Sequence, residues 1–140
     1  MAERQEERVA VVQGIRTPFC KASGVLKEIE ADDLGAVVVQ ELLFRSGIQP
    51  EMVDELVFGN VIEPPNATNV ARVLAVKGGL PIKTPAFTVN RNCASGLEAV
   101  VSGANRIKLG DADIIIAGGT ESMTHFPVLF PDKMRDFLLK

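Results

Sequence analysis

Two cysteines and a single histidine are the side chains of this 140-residue sequence with the most to offer covalent or acid–base chemistry. Cys93 lies in Asn90-Arg91-Asn92-Cys93-Ala94-Ser95-Gly96-Leu97, where an apolar run ends and a helical pattern begins. Unsatisfied backbone N–H groups and the positive end of a helix dipole at such a place favour a thiolate over a thiol, which makes a nucleophile. An inert cysteine, packed as a small hydrophobe, fits the same position. The residues alone leave both readings open.

The other reactive groups read more plainly. Cys20 follows Arg16-Thr17-Pro18 in a loop and is expected to be an ordinary, partly buried thiol. His125, followed by Phe126-Pro127, is expected on a loop or the surface rather than as a base. Two cysteines outside metal-ligand spacing, with one histidine, argue against a zinc site or a disulfide framework. Glu121 is expected to support the structure, either in a buried ion pair or on the loop beside Cys93. Arg16 and Arg72 read as clamps on backbone carbonyls or carboxylates. Gly118-Gly119 lacks the Gly-Lys-Ser pattern of a phosphate loop, so close backbone packing beside the Cys93 helix is the better account.

The elements that must position these groups alternate. Arg8 to Gly14 reads as a buried strand, ended by Arg16-Thr17-Pro18. Asp32 or Asp33 is expected to cap a helix carrying Leu34, Val37, Val38 and Leu42, stopped at Gly47. Glu55 to Ile62 forms the next predicted strand. Thr68 or Asn69 then caps a helix with Val70, Val73 and Leu74, which stops at Gly78-Gly79. A strand at Ala86 to Asn90 precedes a long helix from Cys93 to Leu109. That helix carries an apolar face (Leu97, Val100, Val101, Ala104, Ile107) and a small-residue face (Gly96, Ala99, Gly103), which predicts burial on several sides. Asp113 to Gly118 is a last strand, expected to be buried on both faces. The order β-α-β-α-β-α-β predicts an α/β fold with a mostly parallel sheet and flanking helices.

Composition narrows the classes. Nearly half of the residues are hydrophobic, enough for the core of one domain, and a net charge of −3 without a basic run gives no track for nucleic acid. No stretch approaches the roughly 20 apolar residues of a membrane span. Met1 to Arg8 has neither the apolar core of a secretion signal nor the arginine-rich face of a presequence, so a cytoplasmic protein is expected.

The segment Val89-Asn90-Arg91-Asn92-Cys93-Ala94-Ser95-Gly96-Leu97-Glu98-Ala99-Val100 resembles the surroundings of the acyl-accepting cysteine of thiolases. The likeness continues through Gly110-Asp111-Ala112-Asp113 and Ala117-Gly118-Gly119-Thr120-Glu121-Ser122-Met123, similar to that family's strand and Gly-Gly-x-Glu-x-Met motif. Arg16-Thr17-Pro18-Phe19, Ala31-Asp32-Asp33-Leu34-Gly35 and Asn69-Val70-Ala71-Arg72 extend it over essentially the whole chain. The resemblance implies a thiolase-like layered α/β fold, with residues 1–125 an incomplete amino-terminal domain segment and 126–140 the start of the loop-domain region. The Cys93 helix would then lie in the middle layer.

By the same resemblance, Cys93 attacks the ketone of a 3-ketoacyl-CoA, holds the acyl group as a thioester and passes it to CoA, or runs the reverse Claisen condensation. The backbone N–H of Cys93 would help hold the oxyanion. Coenzyme A thioesters enter as substrates in fatty acid metabolism, with no separate cofactor and no metal. Phe130-Pro131-Asp132-Lys133-Met134-Arg135 points toward the long-chain fatty-acid oxidation branch.

The departures are specific. The family's Gly-His-Pro and Cys-x-Gly motifs, which supply its base and second acid/base, do not occur here, and no CoA-binding residue is assigned. Turnover by the chain alone is therefore not expected, and its partner would be a second copy or a complementary carboxy-terminal half. The competing expectation is a non-catalytic thiolase-fold remnant that serves as an interaction or dimerisation module. A ketoacyl synthase, whose cysteine also starts a buried helix, is the more distant alternative.

Overall fold

The computed structural model describes residues 8–140; most of the mixed-charge Met1 to Arg8 start lies outside them. Three parallel strands form the centre: β1 (Glu55–Gly59), β2 (Ala86–Val89) and β3 (Ile115–Gly119), in the order β2-β1-β3. Leu56 stands opposite Ala86 on one side and Ile116 on the other, and Gly59 stands opposite Val89 and Gly119. The helices are α1 (Ala31–Ser46), α2 (Val70–Lys77), α3 (Ser95–Lys108) and the short α4 (Asp132–Leu138). α2 connects β1 to β2, and α3 returns from β2 across β1 to β3. These crossovers run in opposite directions, so connections of one hand place their helices on opposite faces. α2, backed by α1, covers one face, and α3 covers the other.

All five residues of β1 are buried, because it is the central strand with a helix on each side. Its Leu56 and Phe58 join Val39 of α1, Val70 and Leu74 of α2, and Ile116 of β3 in the core. The strand buried on both faces is therefore β1, and not β3 as the apolar run Asp113 to Gly118 leads one to expect. β3 is an edge strand whose only buried residue is Ile116.

Helix ends follow local chemistry. Asn69 caps α2 by accepting from Arg72 N–H (3.2 Å), as expected, and Gly47 closes α1 in the left-handed conformation (φ 69°). The cap of α1 differs: Glu30 occupies it, and Asp32 and Asp33 lie in the first turn. There they favour the positive helix end and receive Lys77 Nζ of α2 at 2.6 and 2.7 Å, an ion pair that joins the two helices. The hydrogen bond that Lys77 donates to Asp32, then that to Asp33, holds its ammonium above its ordinary pKa. Beneath β1, Asp54 accepts from the Ile114 and Asp113 N–H groups, which hold its carboxyl below the usual carboxylate range and tie the strand entrances together.

The expected first strand is absent. Arg8 to Gly14 forms no ladder, and Val11 and Val12 are 85% and 80% exposed. An apolar run becomes a strand only where a neighbour satisfies its N–H and C=O groups, and among the described residues none does so. The long helix likewise packs on one side only. Its small-residue face meets the sheet, with Ala99 and Gly103 buried, while Leu97 is 68% exposed and Val100 and Val101 are also open. No helix among the described residues is long and apolar enough to cross a membrane.

Candidate active site

The strand order reverses direction at β1: the chain moves to one side of it for β2 and to the other for β3. In open parallel sheets, such a reversal leaves a crevice at the carboxyl ends of the strands. A cavity of about 1040 Å³ occupies that place, lined by Gly59 to Ile62 after β1, Asn92 and Cys93 after β2, and Ile116 to Glu121 along and beyond β3. Gln13 to Ala22 also line it, so Cys20 and Cys93 border one space. Both are free and exposed.

Cys93 sits on a tight turn between β2 and α3. Asn92 takes a left-handed backbone (φ 49°), which asparagine tolerates better than most residues, and Asn90 Oδ1 accepts its N–H at 3.0 Å. Ala94 N–H donates to Arg91 O, and Ser95 N–H to Asn92 O, at 3.1 and 3.0 Å. Arg91 also pairs with Glu98 of the first helical turn at 2.6 Å. The first N–H groups of a helix have no carbonyl four residues back within it. Among the described residues, those of Gly96 and Leu97 have no hydrogen-bond acceptor, and the Cys93 N–H has none either. The arrangement presents a thiol and open N–H donors together, the pairing needed to form and stabilise a tetrahedral oxyanion.

Glycines let the helix start come this close to the sheet. A Cβ on Gly59 would lie 2.3 Å from the carbonyl carbon of Ser95 and 2.6 Å from Gly96 N. A Cβ on Gly119 would lie 3.2 Å from Gly96 Cα and from Gly59 O. Gly119 thus packs beside the Cys93 helix as expected, while Gly118 sits against the Phe58 ring.

Glu121 supports the site from the β1 side. Its carboxylate accepts from Asn60 Nδ2 (3.0 Å), Val61 N–H (2.9 Å) and Ile62 N–H (3.3 Å), so it holds the loop after β1 rather than the Cys93 turn itself. Asn60, 1% exposed, also donates to Thr120 O at 2.9 Å and so bridges the ends of β1 and β3. Arg72 clamps two carbonyls, Thr84 O and Ile82 O, at 2.8 and 2.6 Å. Among the described residues, Arg16 donates to the adjacent Thr17 O and lies over the Phe19 ring. His125 is half-buried, with Nδ1 on Ser122 Oγ (2.8 Å) and Nε2 facing Glu30 (3.5 Å). Both ring nitrogens are engaged away from Cys93, so the single histidine is not its base. Asn60, Gly59 and Ser95 also build the site, though their residue types alone give them no role. Gly59-Asn60 at a strand end was the available signal for two of them, but their partners lie sixty or more positions away or across the sheet.

Comparison with known proteins agrees with this geometry. The family model described as "Thiolase, N-terminal domain" matches residues 9–139. A 3-ketoacyl-CoA thiolase of Yersinia enterocolitica is 42% identical over 128 residues, which cover 91% of this chain and 29% of that protein. A 3-ketoacyl-CoA thiolase of Yersinia pestis is 43% identical over the same shares. Among solved structures, the Acat5 thiolase of Ascaris suum in complex with coenzyme A superposes with a TM-score of 0.81 at 32% identity, over 84% of this chain and 31% of that one. The Bacillus anthracis acetyl-CoA acetyltransferase gives 0.76 at 34% identity, over 79% of this chain and 28% of that one. The chain spans less than a third of the length of these relatives, and within that span its parallel sheet, its Cys93 turn and its sequence make it a member of the thiolase family.

Proposed function

We propose that Cys93 is the acyl-accepting nucleophile of a thiolase-type acyltransferase. The observation that carries this reading is the exposed thiol on the β2–α3 turn, opening into the cavity at the strand ends beside unpaired N–H groups. Cys93 Sγ, as thiolate, adds to the C3 carbonyl of a 3-ketoacyl-CoA. The C2–C3 bond then breaks, acetyl-CoA leaves with a proton taken up at C2, and the acyl group remains on sulfur. The thiol of free CoA next attacks that thioester, loses its proton and restores Cys93. A covalent thioester divides one difficult carbon–carbon step into two easier ones. The N–H groups of Cys93, Gly96 and Leu97 are the donors available to each oxyanion.

The general base and the second acid come from outside these 140 residues, since Gly-His-Pro and Cys-x-Gly do not occur in them. A complementary polypeptide bearing both motifs, or an oligomer containing it, is the partner this reading requires, and CoA and acyl-CoA are its ligands. Residues 126–140 begin the loop-domain region in the same reading, and a cytoplasmic location accompanies it.

Intact-mass measurement after incubation with acetyl-CoA or acetoacetyl-CoA, with Cys93→Ser in parallel, tests the proposal. An acyl adduct lost in the mutant supports it. No adduct in a chain with a cooperative urea transition, even with a complementary half present, overturns it. That outcome would favour the second reading, an interaction module, to which the open Leu97, Val100 and Val101 face of α3 lends weight. Concentration-dependent association would then be its signature.

A further inference from the structure

The turn that carries Cys93 is closed by one side chain. Ser95 is 4% exposed, and its hydroxyl donates to Asn92 O at 2.6 Å while accepting from Arg91 N–H at 2.8 Å. Both partners precede Cys93 in the chain and Ser95 follows it, so the hydroxyl spans the residue that bears the thiol. The Asn92 carbonyl also receives Ser95 N–H at 3.0 Å, which gives this one oxygen two donors. It belongs to the residue held in the left-handed region, a conformation that costs energy for any side chain but glycine. The backbone of Ser95 is in turn seated against Gly59, where there is no room for a Cβ. A helix-start serine that served only as a cap would accept from an N–H two or three residues onward. This one binds backward to the strand side of the turn.

We propose that Ser95 is a positioning residue for the Cys93 thiol, its hydroxyl fixing the Arg91–Ser95 turn so that the sulfur and the first N–H groups of α3 face one cavity. The inference rests on the reading of Cys93 as a nucleophile. Without the hydroxyl the turn keeps its Ala94 and Ser95 N–H bonds, but the Arg91 N–H loses its acceptor and the Asn92 carbonyl one of its two donors, and the sulfur spends time away from the helix end. Favourable placement of an anion at a helix N-terminus is worth a factor of about two to five, so a loss of about threefold in thiol reactivity is expected.

The test compares alkylation of Cys93 by iodoacetamide with that of Cys20 in the same chain, read by peptide mass spectrometry. Cys20 controls for reagent and pH, and no acyl donor is needed. In Ser95→Ala the Cys93-to-Cys20 rate ratio should fall about threefold, while Ser95→Thr, which keeps the hydroxyl, should hold it near the parent value. An unchanged ratio in Ser95→Ala, or an equal loss in Ser95→Thr, overturns the proposal. If Ser95→Ala does not fold, Asn92→Gly with and without Ser95→Ala repeats the comparison on a relaxed backbone. Failure of acylation by acetyl-CoA with a complementary half present, together with a falling ratio, would sink the nucleophile reading and leave the positioning role standing.

Discussion

Gly59→Ala is the change that most directly tests how the site is built. The three atoms nearest its new methyl would all be backbone: Ser95 C at 2.3 Å, Ser95 O at 2.5 Å and Gly96 N at 2.6 Å. Carbon atoms pack best at about 3.5–4.0 Å, so the first turn of α3 must retreat by about 1 Å or more. β1 cannot give way instead, because it is buried along its whole length and paired on both edges. Overpacking of this kind costs about 1–3 kcal/mol. With a urea m-value of about 1–2 kcal/mol/M, the unfolding midpoint should drop by roughly 1 M. A displacement of about 1 Å at a reacting group also lowers rates by as much as about a hundredfold where geometry is demanding.

Gly96→Ala supplies the contrast, since a Cβ there meets nothing within 4 Å. Alanine in place of a helical glycine should leave the midpoint unchanged or raise stability by about 0.5–1 kcal/mol. Urea unfolding of both variants, with alkylation of Cys93 counted against Cys20, reads the two effects together. A Gly59→Ala chain with the parent midpoint and the parent alkylation ratio would refute the claim that this glycine sets the approach of helix to sheet.

The Lys77 pair gives a pH signature. Its folded pKa is raised, so the stabilisation is fully present below the unfolded value of about 10.4 and is lost only as pH climbs beyond it. Lys77→Met leaves the Asp32 carboxylate buried without its partner and should cost about 1–2 kcal/mol, a figure reduced because the lysine is 44% exposed. Urea midpoints measured from pH 7 to 11 should show a constant gap to the parent that narrows only at the alkaline end; a gap that closes near neutrality would contradict the pairing. Asn60→Asp removes two amide donors and sets a second carboxylate against Glu121, at a position where the amide nitrogen is 3.0 Å away. The expected loss is about 3 kcal/mol or more, with restoration by Glu121→Gln in the double mutant. Independent, additive losses in that cycle would dissolve the proposed coupling between the ends of β1 and β3.

Periodicity carried much of the fold because it reports local burial. Val70, Val73 and Leu74 of α2, its Asn69 cap and the Gly47 stop of α1 depend on neighbours within one or two turns, and they appear where the pattern places them. Arg8 to Gly14 shows the limit. Val9 to Val12 have strand composition, but a ladder is made between segments, and composition does not say whether a partner exists. Burial of α3 failed for the same reason: two faces were legible, and which of them finds a neighbour within this chain was not. At the site, the place of Cys93 before a helix was legible because a helix start is a local feature. Asn60 was not, since its amide links residues sixty positions apart, and only the parallel register of β1 with β3 brings them together.

These residues share one geometric cause. A central strand flanked on both sides by parallel partners ends at the same level as its neighbours, so Gly59, Val89 and Gly119 finish side by side. The chain leaving each strand must then turn within a narrow space. Glycine at Gly59 and Gly119 admits the first turn of α3 into that space, and Asn92 accepts the backbone conformation that the sharp reversal after β2 demands. Glu121 and Asn60 bind the other two strand exits to one another, which keeps them from filling the opening in front of Cys93. The exposed thiol follows from these packing constraints. Residue 93 lies on that turn, outside the tight contact of Ser95 and Gly96 with the glycines, and lines the cavity. In the function we propose, the cysteine there is the nucleophile, and the fold sets the N–H groups of α3 beside it.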